Sequence, residues 1–320
     1  MLILHKPGQA GAASGPALDD DIVWCDLFNP TRDEELGLEA ELGVPLPTRE
    51  DMDEIEASSR LYLEKGAAFM TAVIPLADGQ TRLRAEPVTF ALVKNRLVTV
   101  RYADPASFGI LCAHAVKDPA LMATGQSTFL GLLEIIVDRI ADLIEKTEAR
   151  IEAVSHGIFR TKRETRLEDA LIEIGDIQNA IARIRDSLVS LARLAAFAHN
   201  LDAEVAGLRD GALIDFRDRL RTIGQDIASL SDHTSYITGN MSFLLDAALG
   251  LISVEQNNVM KLISVVSVIF LPLTLIASIY GMNFEDMPFL HAKGAFYGCI
   301  GLMLVTAGGL IWWLRSRRWL

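Results

Sequence analysis

The chain has 320 residues, half of them hydrophobic, with a formal net charge of −12 and three cysteines. Residues 259–320 carry five basic groups against two acids, which leaves −15 on residues 1–258; so acidic a body excludes phosphate-backbone binding as the main activity and suits a surface that meets cations. Cys25, Cys112 and Cys299 are far apart, which excludes a disulfide framework or a paired-cysteine zinc site and fits a reducing compartment.

Residues 1–20, rich in Gly, Ala, Ser and Asp, read as a ragged start or an edge strand. Met1 to Ala10 lacks the apolar core of a secretory signal, so the acidic portion is expected to stay where it is made. The next hundred residues read as mixed α/β. Strand-forming runs occur at Ile22–Leu27, Ala67–Ile74, Pro87–Lys94 and Arg96–Tyr102. Between the first two, Thr31 with Glu34 forms a capping-box pattern, and Thr48 opens the acidic stretch Glu50–Glu56, whose carboxylates favour a helix N-terminus.

From Pro119 to Pro272 there is no proline, and apolar residues recur at helical spacing, which predicts long helices broken near 157–165 and 200–211. The last is the most regular: Ile223, Ile227, Leu230, Thr234, Ile237, Met241, Leu244, Ala248 and Leu251 alternate in steps of four and three, a heptad seam. Nothing punctuates the path from this seam into the apolar run that follows. One helix from about Leu213 to Tyr280 is expected, on the order of 100 Å long. Such a rod can carry a movement to a membrane, or it can simply hold subunits together.

Leu262 to Tyr280 and Gly294 to Leu314 are both uncharged and apolar, at about 20 residues per bilayer crossing a membrane hairpin. Lys261 precedes the first span and Arg315, Arg317 and Arg318 follow the second, so both chain ends are expected in the cytoplasm. Trp312, Trp313 and Trp319 beside these arginines read as an interfacial anchor.

In the first span the polar residues fall on one line. Asn257, Ser264, Ser267, Thr274 and Ser278 share a helix face, with Leu271 at the remaining heptad position. Small hydroxyl residues let membrane helices pack closely; the same stripe could line a water-filled path built from several copies. Neither span holds an ionisable residue, unlike the interior of most proton-coupled carriers. A neutral path suits passive movement driven by the membrane potential, roughly 4.6 kcal/mol per 100 mV for a divalent cation. Gly281 reads as a helix cap with φ > 0, and Asn283 would project a carboxamide beside it. No phosphate-binding loop and no nucleophile–base pair stands out, so neither an enzyme nor a catalytic cofactor is expected.

Tyr280-Gly281-Met282-Asn283-Phe284, preceded by Asn257, Met260-Lys261 and Phe270-Leu271-Pro272-Leu273-Thr274, resembles the signature of the CorA family of magnesium transporters. Trp24 to Leu27, Asp53 to Arg60, Val88 to Arg101 and the closing Arg318-Trp319-Leu320 also resemble bacterial members, so the likeness covers nearly the whole chain. It implies an α+β membrane protein of the bacterial inner membrane, with an N-terminal αβα cytoplasmic domain, a long stalk helix and two C-terminal transmembrane helices, assembled as a homopentameric funnel. The divisions expected are residues 1–120, a helical region over 121–258 and a transmembrane hairpin over 259–320. The hairpin divides into a first span near 259–280, an external loop over 281–293, a second span near 294–314 and a cytoplasmic tail.

The resemblance further implies Mg²⁺ as the substrate, with Co²⁺ and Ni²⁺ also passed. Gly281, Met282 and Asn283 would form the entrance filter. Thr274, Leu271, Ser267 and Asn257 would line the path inward, with Leu271 and either Ile263 or Ser264 at its water-repelling constriction. Mg²⁺ sheds its water reluctantly, so neutral amide oxygens that greet the hydrated ion suit passage better than a ring of carboxylates. In many members the triplet is followed by Phe-Glu-x-Met-Pro-Glu-Leu; here Phe289 replaces the second Glu, and Glu285 and Asp286 remain as loop charges. The family is thought to be closed by cytosolic Mg²⁺ held between neighbouring domains. The carboxylates that would hold it are not identifiable among the Glu50–Glu56 cluster, Asp215, Asp218, Asp226 and Asp232. Two alternatives stand beside this reading: a Zn²⁺ transporter of the same superfamily, and a non-conducting membrane-anchored coiled-coil scaffold or sensor.

Overall fold

The computed structural model describes residues 1–7, 9–13, 18–54, 56–78, 82–160, 167–282, 294–317 and 319. The elements are, in order, β1 (Leu2–Lys6), β2 (Gln9–Ala13), β3 (Trp24–Phe28), α1 (Arg32–Leu42), α2 (Arg49–Asp53), α3 (Ala57–Arg60), β4 (Leu61–Glu64), β5 (Ala67–Asp78), β6 (Arg82–Val93), β7 (Arg96–Arg101), α4 (Ala106–Lys117), α5 (Gly125–Arg160), α6 (Leu167–His199), α7 (Ala203–Ala206), α8 (Asp210–Tyr280) and α9 (Ala295–Ser316). They form two compact units, Met1–Leu245 and Asp246–Leu320.

In the first unit the strands make one sheet in the order β2-β1-β3-β7-β6-β5-β4, antiparallel except for β3 against β7. That parallel pair requires a crossover, which α1 to α3 and the β4–β6 meander supply. Successive side chains of β3 point to opposite faces. Cys25 and Leu27 join Leu38 of α1, Met52 of α2, Phe69, Val98 and Val100 in one core layer. On the other face Trp24 meets Phe108 of α4, Phe90 meets Phe129 of α5, and Phe129 stacks on Phe216 of α8. The result is the expected αβα layering.

Local chemistry sets the helix ends. Thr31 and Glu34 close a reciprocal capping box on α1, which stops at Gly43 with φ 74°. Thr48 and Asp51 form a second box, but α2 is only five residues long, because Glu54 turns to extended backbone. Three strands, β1, β2 and β4, were not distinct in the sequence, where residues 1–20 read only as a ragged start or one edge strand. β1 carries too few alternating residues, and β4 spans four residues against the start of β5. Past Met70 that side of β5 pairs with no strand among the described residues, and α6 supplies side-chain partners: Ser187 Oγ donates to the Val73 carbonyl at 2.6 Å, and Ser190 Oγ accepts from Val73 N–H at 2.9 Å.

A close contact seats the helical layer on the β6–β7 turn. Gln126 Nε2 donates to the carbonyls of Lys94 and Ala206, and Gly207, at φ 65°, approaches so near that a Cβ there would lie 2.0 Å from the Lys94 oxygen. α5 and α6 form a hairpin crossed by the Arg150–Glu173 ion pair at 2.8 Å.

α8 is one helix over 71 residues. Its seam is filled within a single chain: Ile223, Ile227, Thr234, Ile237, Met241, Leu244 and Ala248 are buried, Leu230 is half-buried and Leu251 is exposed. Burying each large aliphatic side chain stabilises by roughly 1.5–3 kcal/mol. In the second unit, the end of α8 and α9 are the apolar helices. In their most apolar stretches 6 % and none of the residues are buried, unlike the core helix of a soluble protein, and both are long enough to cross a bilayer.

Candidate ion-conduction path

The first span has two distinguishable sides. Val265 is buried, and Ile269, Pro272 and Ile276 are half-buried. Their steps of four, three and four make one packed face. Ser267, Leu271, Thr274 and Ser278 are all exposed and lie about 130° or more round the helix from that face at 100° per residue. Leu271 is 70 % exposed.

Each described hydroxyl contact on this stripe is made back along the helix. Ser264 Oγ donates to Met260 O at 2.8 Å, Ser267 Oγ to Ile263 O at 2.9 Å, and Thr274 Oγ1 to Phe270 O at 2.8 Å. The proton is thereby spent on the backbone, and the oxygen lone pairs face outward as acceptors. Hydrated cations present water hydrogens outward, so a file of acceptors matches them without replacing their inner shell. No sequence pattern announced this orientation; the available signal is that a Ser or Thr inside a helix has the carbonyl four residues back in reach.

Ile263 and Ser264 differ in placement. Ile263 is 54 % exposed and Ser264 is half-buried, and at 100° per residue each lies about 50° from the middle of the stripe, on opposite sides of it. Asn257 is exposed on α8 before the span. Pro272 stands inside the helix, where it takes away the N–H that Val268 O would have accepted. Its half-buried position on the packed face leaves the stripe unbroken.

Gly281 departs from the expected cap. It is not in the positive-φ region, and its N–H still donates to Ala277 O at 2.9 Å, continuing the helical pattern. The space beside it is tight: a Cβ would lie 3.1 Å from the Ala277 carbonyl oxygen, a contact that a shift of a few tenths of an ångström relieves. Met282 is exposed and donates its N–H to Ile279 O at 3.3 Å. Asn283, Glu285, Asp286 and Phe289 lie outside the described residues.

Of the carboxylates considered for regulation, Asp51 is committed to its capping box and Asp218 pairs with Arg221 at 3.1 Å. Among the described residues, no three His, Cys, Asp or Glu side chains gather in a group able to hold a metal ion.

Three comparisons bear on this arrangement. The family model described as CorA-like Mg²⁺ transporter protein matches residues 19–318. The magnesium transport protein CorA of Salmonella typhimurium is 31 % identical over 300 residues, covering 94 % of this chain and 92 % of its own length. That of Escherichia coli is 31 % identical over 298 residues, covering 93 % and 92 %. The complete structure of the CorA magnesium transporter from Methanocaldococcus jannaschii superposes with a TM-score of 0.79 over 100 % of this chain and 99 % of the other, at 17 % identity, a likeness of fold. With the α/β unit, the long helix and two exposed apolar helices in place, the chain belongs to the CorA-like Mg²⁺ transporter family.

Proposed function

We propose that this chain is the subunit of a homopentameric, channel-type Mg²⁺ transporter of the bacterial inner membrane, with both termini cytoplasmic. Five first spans surround an aqueous path, and the ion moves inward down its electrochemical gradient. The observation that carries this reading is the one-sided stripe of back-bonded hydroxyls, turned away from the packed face of its own unit. Two spans cannot enclose a pore, so the exposed stripe needs other copies to cover it.

Gly281, Met282 and Asn283 form the entrance, where five amide oxygens meet the hydrated ion. Ser267, Thr274 and Ser278 present acceptors along the path, with Asn257 at the inner end. Leu271 and Ile263 form the water-repelling constriction; the exposure of Ile263 favours it over Ser264 for that role. Glu285 and Asp286 raise the local cation concentration at the mouth. Co²⁺ and Ni²⁺ pass by the same route, and cytosolic Mg²⁺ bound by carboxylates between neighbouring subunits closes it.

The test is uptake into proteoliposomes at a set voltage, comparing Mg²⁺ with Co²⁺, Ni²⁺ and Zn²⁺ and varying external pH. Voltage-dependent Mg²⁺ entry without proton coupling is expected. The first span offers no sulfur or imidazole ligand along its stripe, so Zn²⁺ should not be preferred. Absence of any cation flux from a correctly assembled protein would return the chain to a scaffold role.

A further inference from the structure

Within the soluble unit two ion pairs join α8 to α5: Arg219 to Glu134 at 2.7 Å and His233 to Glu148 at 3.0 Å. The spacing from 219 to 233 equals that from 134 to 148, so the helices run parallel and in step over about four turns. The first pair is charged at any physiological pH. The second is an ion pair only when the imidazole carries a proton, and histidine is the side chain that changes charge between about pH 5 and 8.

The surroundings of the second pair are acidic. Glu145, Glu148 and Glu152 of α5 line a cleft opposite Tyr236, Ile237 and Asn240 of α8. His156 lines the same cleft, 3.9 Å from Glu152, and Asp232 adjoins His233 on α8. Three carboxylates on α5 therefore face a stretch of α8 whose positive charge comes from His233, with His156 alone among the described lining residues able to add more. With both imidazoles neutral, His233 can still offer Glu148 one N–H, but among the described cleft residues no positive charge offsets the mutual repulsion of the glutamates.

We propose that His233 and Glu148 form a proton-operated clamp between α8 and α5. Acidification around the soluble unit tightens the two helices along the cleft; alkalinisation loosens them there, while the permanent Arg219–Glu134 contact stays closed as a pivot. Because α8 continues unbroken into the first apolar span, the clamp biases the helix that carries the conduction stripe. That consequence rests on the transport reading above; the clamp itself does not. Both side chains are partly exposed, so the expected effect is about two- to fivefold in the clamp equilibrium per chain.

The test uses the full chain in detergent, with hydrogen exchange of the α5 and α8 peptides bordering the cleft, corrected for the intrinsic pH dependence of exchange. Protection in the wild type should rise about two- to fivefold from pH 8.5 to 5.5. His233→Gln and Glu148→Gln should each abolish the rise, and the double variant should add nothing further. His233→Arg should give the low-pH protection at pH 8.5. Protection that is independent of pH in the wild type, or an Arg variant that stays loose at pH 8.5, overturns the clamp. Mg²⁺ flux in proteoliposomes provides the second arm. A pH profile shifted by His233→Gln and flattened by His233→Arg supports control of transport. A profile unmoved by either, with the exchange coupling intact, overturns that control. Loss of all flux, including in the wild type, with the coupling intact counts against the transport reading and leaves the clamp standing.

Discussion

Across the parallel pair β3 and β7, the guanidinium of Arg101 donates to the carboxylate of Asp26 at 2.9 Å, with both side chains almost wholly buried. The rings of Phe28 and Phe108 lie 4.3 and 4.5 Å from the guanidinium carbon, and Thr99 Oγ1, which accepts from Trp24 Nε1, donates to the same carboxylate. Two strands distant in sequence are thereby fixed in register by a hydrogen-bonded charge pair. Asp26→Asn leaves the cation under two aromatic rings with Asp104 as its remaining carboxylate partner among the described residues, and should cost about 3–5 kcal/mol. Replacing Asp26 and Arg101 together by apolar residues of similar volume should cost less than the single change. Chemical denaturation of the full chain in detergent, followed by circular dichroism, compares the two.

His5 stacks on Trp24 at 4.1 Å, and burial lowers its pKa to about 4, with Asp26 opposing and Arg101 assisting that shift. The folded state thus holds the imidazole neutral while the unfolded chain protonates it near pH 6.5. Its stabilising contribution is complete above pH 6.5 and is lost as pH falls from 6.5 to 4, an order of about 2–3 kcal/mol. His5→Phe keeps a ring against Trp24 and cannot titrate. The acid slope of stability in that window should flatten, measured as the unfolding midpoint between pH 4 and 7.5.

Gly207 and Gln126 make a steric prediction. Gly207→Ala sets a Cβ against the Lys94 carbonyl at a backbone angle that disfavours L side chains, and should destabilise by about 2–4 kcal/mol. Gly211→Ala, where a Cβ meets open space near the start of α8, should be neutral or slightly stabilising. Thermal unfolding midpoints distinguish the pair.

The proposed conduction role of the hydroxyl stripe predicts a one-sided sensitivity. Thr274→Val and Ser267→Val remove acceptors while keeping the helix, and should lower Mg²⁺ uptake about tenfold or more, in line with the loss of a well-placed hydrogen-bonding oxygen. Val266→Ser puts a hydroxyl on a different side of the same helix and should leave uptake within about twofold. Asn283→Ala should abolish rescue of a magnesium-uptake-deficient cell while assembly persists in a cross-linking assay. Equal losses from Val266→Ser and Thr274→Val would mean that the stripe has no privileged face.

Burial gives a reactivity order among the thiols. Cys25 is fully buried and its pKa is pushed up to about 12, so it should resist alkylation in the native protein. Cys112 is half-buried, with its pKa raised by burial to a lesser extent, and should react first of the two. Mass spectrometry after brief iodoacetamide treatment reads the order directly.

Periodicity and local chemistry were enough for much of this protein. The absence of charge from Leu262 to Tyr280 and from Gly294 to Leu314, the four-three steps of the seam, and the pairing of Thr31 with Glu34 each follow from neighbours within a few residues. Such short-range patterns are written out in the chain. The long helix, the mixed α/β character of the N-terminal part and the apolar hairpin could therefore be read from the residues, while the Tyr280-to-Phe284 motif pointed to the family and, through it, to the αβα layering. Short strands such as β4 escaped because four residues hold too little alternation to stand above their surroundings.

What the tertiary structure alone decided are the relationships between distant residues. It showed that the seam is filled within one chain, with α5 alongside α8. It turned Val265 inward and Leu271 outward, and sent the hydroxyl protons of Ser267 and Thr274 to the backbone. It replaced the positive-φ cap expected at Gly281 by a continued helical hydrogen bond to Ala277. It brought Asp26 to Arg101 and His233 to Glu148, because which distant side chains meet depends on how helices and strands pack in three dimensions, and no local spacing encodes that.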